Sequence, residues 1–498
     1  MKCLLALAGL PACFVLLAAE AMLKSHDADA IARAMESVQN AAERVQDDPN
    51  RPEWHITAPA NWINDPNGPI FHNGSWHMFY QHNPYGDGWG NMHWGHVRSQ
   101  DMAHWEHLPI ALWPSKEVGE DHVFSGCSVI RADGRPVIFY TSIGRGKSAG
   151  EYAEQWMAIG DKDLLKWEKP ASNPVLSESL HGGTKIWDWR DPYHFKYKGG
   201  DFMVLGGNLN HGKGGEAVVT LYKARDRSLD KWEYLGILFK HPDPKVTNIE
   251  CPNFFELNGR WVLIISPHRK VEYFVGAFDG QKFTPQTHGL LDYSDNFYAP
   301  NSTTDPKGRR VLWGWIRGFK GGQGWNGALT LPRILTVDER GALKQWPADE
   351  VVSLRERELF AVRGTMTPKR SYSAEMRSPR MEISAEFTSG NDSGMRLFKT
   401  ATDPGLEIFY SNGELKIGNK KMPLVLGVND PLRLYVFVDR SVIEVFANST
   451  VSFTQVHYPA AYSGEIEFFT TEENSYLNAS IDDLEPAWNK AAAWKGSN

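Results

Sequence analysis

Three carboxylates in this chain, Asp65, Asp191 and Glu250, each stand nine residues ahead of a glycine that leads into an apolar run. Carboxyl groups can attack as nucleophiles, pass protons as general acids and bases, or hold a metal ion. A lone acid beside a turn is ordinarily a cap or a solvated loop residue. Three acids at one phase of a repeat point instead to a shared pocket.

The repeat that sets the phase begins at Asn73-Gly74 and returns at Asp133-Gly134, Gly199-Gly200, Asn258-Gly259 and Lys307-Gly308. Hydrophobic runs such as S-W-H-M-F-Y and R-W-V-L-I-I follow, and Gly74, Gly134, Gly200, Gly259 and Gly308 are 60, 66, 59 and 49 residues apart. Four of these five dipeptides have the composition of two-residue hairpin turns. A second mark, Trp105-Glu106, Trp167-Glu168 and Trp232-Glu233, trails the first three glycines by 31 to 33 residues, with Trp346 as a late copy in the fifth unit. Five units of about four strands predict an all-β five-bladed β-propeller. Counting back nine residues from each glycine gives Asp65, Ser125, Asp191, Glu250 and Ala299. These positions would fall on the first strand of each blade, so the three acids would converge on one axial pocket. Gln81 and Trp315, each seven residues after its glycine, would look into the same funnel from equivalent strands.

The segments around the acids carry a resemblance. N-W-I-N-D-P-N-G (Asn61 to Gly68), W-R-D-P (Trp189 to Pro192) and E-C-P (Glu250 to Pro252) resemble the three signatures of glycoside hydrolase family 32, the family of invertases, inulinases, levanases and fructan exohydrolases. F-Y-Q-H-N-P, H-W-G-H, F-S-G and W-N-G-A-L-T-L-P-R are similar to further segments of that family, and L-R-L-Y-V-F-V-D-R-S-V-I-E-V-F-A-N (Leu432 to Asn448) resembles its C-terminal β-sandwich. The resemblance runs from about Arg51 to residue 484. It implies a catalytic propeller over 51–346, a linker over 347–358 and a C-terminal β-sandwich over 359–487. Asp439 and Glu444 in the sandwich read as facing water or holding a turn.

What the resemblance implies chemically is a retaining β-fructofuranosidase without a cofactor. Such a mechanism passes through an oxocarbenium-like state and needs one attacking carboxylate and one acid that protonates the leaving oxygen. By resemblance Asp65 is the nucleophile, Glu250 the general acid/base, and Asp191 a transition-state stabiliser gripping fructosyl hydroxyls. Glu250 should then be protonated at working pH, its pKa raised by Asp65 and Asp191. Asn64, Trp89, Phe124, Ser125 and Arg190 are implied sugar contacts beside Gln81 and Trp315, while Tyr293 and Trp313 read as packing residues. His93 and His96 form H-x-x-H without a third ligand at a usual spacing, which favours structural hydrogen bonds over a metal. A fructosyltransferase would use the same triad, and a non-catalytic sugar-binding propeller would have lost part of it. Plant-type sucrose hydrolases carry an acid in the loop that corresponds to Ser266 to Lys270. Here that loop is S-P-H-R-K, so sucrose, inulin and levan all remain open as substrates.

Composition bounds the partners. A net charge of −7 without a basic cluster argues against nucleic acid. Nineteen tryptophans suit a strand-rich protein, most of them as β-core packing and the rest as ring faces that can stack on sugars. Lys2, the apolar stretch Cys3 to Ala18 and Ala19-Glu20-Ala21 read as a secretory signal over 1–21, too short for a stable membrane anchor. This implies a secreted or extracellular protein, with vacuolar or cell-wall placement left open. Residues 22–50 are polar and helix-prone. Without the signal, Cys127 and Cys251 are the remaining cysteines, too few for a disulfide scaffold or a structural zinc site, and their pairing is open. Sequons begin at Asn73, Asn301, Asn391, Asn448 and Asn478. The C-terminal sandwich offers a surface for packing on the propeller or for an oligomer interface.

Overall fold

The computed structural model describes residues 26–148, 150–388, 392–427 and 429–488. The expected signal segment and Asn391 lie outside the described residues. Residues 61–347 form five antiparallel sheets, each with four strands paired in chain order. Their first strands are Asn61–His72, Glu120–Ile130, Trp187–Tyr197, Glu250–Leu257 and Phe297–Thr304. Each of these strands touches the next and the fifth touches the first, so they close a ring and the sheets radiate from it as a propeller. The ring is latched by a short strand, Trp325–Asn326, which leaves the fifth sheet and pairs in parallel with Asn61 and Trp62 of the first.

The first strands share one irregularity. Their ladders break between Ile63 and Pro66, Val123 and Gly126, Arg190 and Tyr193, Glu250 and Asn253, and Tyr298 and Asn301. Proline has no N–H to give to a ladder, and Pro66, Pro192, Pro252 and Pro300 stand at four of the breaks. The second sheet has Gly126 there, where an added Cβ would meet the Phe139 carbonyl oxygen at 1.9 Å. A bulge bends its strand and re-aims the neighbouring side chains. Here it turns two consecutive residues of every first strand toward the axis.

The turns differ from expectation at three places. Asn73-Gly74 and Asn258-Gly259 are two-residue hairpins, but the third is Lys198-Gly199, because Tyr197 pairs with Gly200. Asp133-Gly134 and Lys307-Gly308 lie in longer loops, since Ile130 pairs with Pro136 and Thr304 with Arg310.

Beyond the propeller, Asp349–Leu354 is a 3-10 turn and the first sandwich strand begins at Arg355, within the span expected as a linker. Two six-stranded sheets face each other over a core that includes Ile383, Leu434, Val436, Ile443 and Phe468. Asp439 and Glu444 do not face water. Both are fully buried where the sandwich meets the propeller. Asp439 accepts the backbone N–H groups of Glu53, Trp54 and His55, and the His55 ring bridges Asp439 at 2.8 Å and Glu444 at 2.9 Å. Arg333 donates to Glu444 at 2.6 Å and to Asp292 at 3.1 Å. Alternation along the strand separates Leu434, Val436, Ile443 and Val445, which face the sandwich core, from Phe437, Asp439, Glu444 and Phe446, which a second domain covers.

Helix Ala28–Val45 lies in the polar N-terminal segment, capped by the Asp27 side chain on Ala30 N–H. Ile31, Ala34, Val38, Ala41 and Val45 make one buried stripe against Ile110 and Trp113 at one end and Phe319 and Trp325 at the other. Among the described residues no helix is long and apolar enough to cross a membrane. Asn73 and Asn478 are exposed, whereas Asn301 is buried and its amide donates to the Gly126 carbonyl inside the ring.

Candidate active site

Aligned on the proline, or on Gly126, the two residues before each break fall into two tiers. One tier is Asn64, Phe124, Arg190, Glu250 and Tyr298; the next is Asp65, Ser125, Asp191, Cys251 and Ala299. Asp191, Cys251 and Ala299 take left-handed φ angles of 63°, 47° and 45°. That conformation is costly for residues with a Cβ, and surrounding contacts must hold it.

Asp65 is fixed at both oxygens. Ser125 donates to Oδ2 at 2.5 Å and the Asn64 amide to Oδ1 at 3.0 Å, while Asn64 is itself held by Trp62 Nε1 at 2.7 Å. Asp191 Oδ2 accepts the Cys251 N–H at 2.9 Å, and its own N–H donates to Thr141. The Cys251 thiol lies between the two aspartates, 3.4 Å from Asp65 Oδ2 and 3.5 Å from Asp191 Oδ2. Glu250 is engaged at both oxygens: Arg190 Nη2 at 2.5 Å on Oε1, and the Tyr298 hydroxyl at 2.6 Å and His268 Nε2 at 3.3 Å on Oε2. Arg190 also donates to Asp188 and lies 3.9 Å from Asp191 Oδ2.

Burial raises the Asp65 carboxyl, opposed by its bonds from Ser125 and Asn64. Burial also lifts Asp191, to about 7, against the pull of Arg190 and with the help of the charges on Asp65 and Glu250. Glu250 goes the other way. Burial alone would raise it, but Arg190, His268 and Tyr298 together outweigh burial and hold it well below the usual carboxylate range. Glu250 is thus not raised as expected, and the reason is its three donors, Arg190 foremost.

The remaining expected contacts fall into two groups. Trp89 is 57% exposed and meets Phe124 edge to face at 5.9 Å, so the pair forms an aromatic rim next to Ser125. Gln81 is buried, and its amide donates to the Val123 carbonyl, the residue before Phe124. Trp315 is half-buried and packs edge to face on Trp62 at 5.7 Å. Trp313 is fully buried in a core cluster and Tyr293 packs on the sandwich core. His96 hydrogen-bonds His77 at 2.9 Å and His93 the Asn91 carbonyl at 2.5 Å. Among the described residues no group of three His, Cys, Asp or Glu side chains is arranged to hold a metal ion. Cys127 and Cys251 are both free and buried.

Cys251, Tyr298 and His268 were not anticipated. The first two occupy the axial tiers, and an alignment on X-Pro would have found them. His268 comes from the loop between the second and third strands of the fourth sheet, Arg260–Ser266 and Glu272–Phe278.

Comparison with known proteins adds a second line of observation. Residues 55–347 match the glycosyl hydrolases family 32 N-terminal domain, and residues 350–485 match the glycosyl hydrolases family 32 C-terminal domain. Sucrose-6-phosphate hydrolase of Escherichia coli is 32% identical over 432 residues, which cover 80% of this chain and 87% of the relative. Levanase of Bacillus subtilis (strain 168) is 28% identical over 519 residues, 91% of this chain and 73% of the relative. Among solved structures, a mutant of the Bombyx mori GH32 beta-fructofuranosidase BmSUC1 in complex with sucrose superposes with a TM-score of 0.77 at 25% identity, over 93% of this chain and 100% of that one.

Proposed function

The chain belongs to glycosyl hydrolase family 32 and is a fructofuranosidase-type glycosidase, and on that premise we propose that it cleaves terminal β-D-fructofuranosyl bonds with retention, using Asp65, Asp191 and Glu250. The observation that carries this reading is the meeting of three carboxylates from three different sheets around Cys251 and Arg190.

Asp65 suits the nucleophile. Bonds from Ser125 and Asn64 fix the orientation of its carboxylate, and a positioned attacker lowers the entropic barrier. Its attack on the anomeric carbon gives a fructosyl-enzyme ester. Glu250 donates a proton to the departing oxygen, then takes one from the water that hydrolyses the ester. Asp191, anchored by the Cys251 N–H, hydrogen-bonds fructosyl hydroxyls as positive charge grows on the ring. In the free site the donors around Glu250 favour its ionised form. A substrate oxygen that displaces Tyr298 or His268 from Oε2 shifts it toward the protonated form that donation needs. The Trp89–Phe124 rim offers an aromatic face to the sugar.

The five sheets are read as five blades of a propeller over 51–346, with a linker over 347–354 and the sandwich from Arg355, where its first strand begins, to 487. Residues 1–21 are read as a cleaved secretory signal, and the exposed sequons Asn73 and Asn478 suit glycosylation of a secreted chain. N-terminal sequencing of protein recovered from culture medium tests the cleavage.

Sucrose and fructans share the terminal fructosyl unit. The 266–270 loop holds no acid, which favours a fructan or a microbial-type sucrose site. Relative kcat/KM on sucrose, inulin and levan ranks these substrates. Free glucose and free fructose in equal amounts at high sucrose support hydrolysis; glucose well in excess of fructose indicates transfer to a sugar. No turnover of any fructoside would overturn the reading.

A further inference from the structure

Glu250 Oε2 faces two donors, the Tyr298 hydroxyl and the His268 ring. The loop that carries His268 is pinned along its length. The His268 backbone, at φ 58°, donates its N–H to the Tyr298 hydroxyl. Arg269 is anchored on Glu272 and Asp243, each at 2.6 Å, and Lys270 on the Tyr293 carbonyl at 2.6 Å. Of the loop's three basic side chains, only His268 is aimed at the site. It is 46% exposed, so it exchanges protons with solvent while touching Glu250.

We propose that His268 is a positioning residue for the acid/base step: its imidazolium, set against the outer oxygen of Glu250, fixes the pH range over which that carboxyl carries the leaving-group proton and so confines turnover to the acidic side. The proposal rests on the reading of Glu250 as the acid/base.

The groups that face this pair come from four sheets. Arg190 and Asp188 lie on the third, Glu250 itself and Cys251 on the fourth, and Tyr298 on the fifth, with Asp65 and Asp191 across the pocket. Arg190 keeps its charge at every accessible pH and sets a constant bias. The Tyr298 phenol is pushed well above its ordinary value by burial and by Glu250, so it stays protonated. His268 is raised by its contact with Glu250. It is therefore charged through the range in which Glu250 must gain and lose its proton. A cation within 4 Å favours the ionised carboxylate, and removal of that cation lets Glu250 keep its proton to higher pH.

The experiment compares the pH dependence of kcat/KM on sucrose for the native enzyme, His268→Gln, His268→Arg and Glu250→Gln, with thermal unfolding of each. The native enzyme should show an acidic optimum. His268→Gln should move the alkaline limb up by about 1 pH unit, while His268→Arg, with a permanent charge, should leave the limb at or below the native position. An unmoved limb in a folded His268→Gln variant, or one that His268→Arg moves as far, overturns the proposal. Glu250→Gln separates the two layers: if it is inactive while the limb stays put, the role of His268 fails alone, and if it is active, the acid/base reading fails first.

Discussion

Arg190 Nη2 lies 2.5 Å from Glu250 Oε1 and ties the third sheet to the fourth across the mouth of the propeller. Arg190 is the strongest of the partners, with His268 and Tyr298, that hold Glu250 ionised, whereas Asp191, 3.9 Å from the same guanidinium, is raised by burial that Arg190 only partly offsets. The fork geometry of Arg190 also reaches the Asp188 carboxylate, so a single cation orders three carboxylates.

Arg190→Gln should therefore lose at least about 100-fold in kcat/KM, with the alkaline limb of the remaining activity shifted upward. Truncating one partner of a buried charge pair costs about 2–5 kcal/mol, much of it from the charge left behind. Steady-state kinetics over a pH series checks both effects.

Asp191→Asn should separate catalysis from stability. The folded protein holds the Asp191 proton up to about 7, against an ordinary value of 3.8. The neutral form is thus favoured by folding. Its contribution is fully present below pH 4 and is lost as pH rises toward 7. The variant lacks that loss, so its stability relative to the native protein should improve by about 1 kcal/mol or more between pH 4 and pH 8, while turnover falls. Denaturant unfolding at the two pH values measures the difference.

Arg333→Met should destabilise by about 3–5 kcal/mol, because it leaves Glu444 and Asp292 buried without their cation. Activity of the folded fraction at low temperature should stay near native, since Arg333 belongs to the propeller–sandwich junction. Thermal unfolding with parallel assays distinguishes this from damage to the site.

Trp89→Ala removes an exposed aromatic face beside Phe124. The expected effect is a KM raised several-fold with little change in kcat, in line with about 1 kcal/mol for an aromatic contact. A kcat loss larger than the KM change would place Trp89 elsewhere in the reaction.

Much of the site was legible because hairpin turns print the period of the propeller onto the sequence. Asp65, Asp191 and Glu250 were found through that period. Its phase was slightly off, since the third turn is Lys198-Gly199 and Glu250 sits one residue before the position that Asp65 and Asp191 occupy. The prolines mark the bulges more faithfully than the glycines, because a missing N–H interrupts the ladder itself; counted from them, Cys251 and Tyr298 fall into place. His268 has no comparable signal, because its loop joins the second and third strands of the fourth sheet, away from the bulge that the proline marks. The sign of the Glu250 shift depends on a partner on the neighbouring sheet, 60 residues away in sequence. Asp439 and Glu444 were misjudged because strand alternation reports a face but not what covers it.

The proposed reaction turns on attack of Asp65 on the fructosyl carbon. Its most direct test is kcat/KM on sucrose for Asp65→Ala, measured beside the thermal unfolding of the same preparation. The expected result is a loss of at least about 10⁴-fold with a native-like unfolding transition. A folded variant that retains activity within ten-fold of the native enzyme would contradict it.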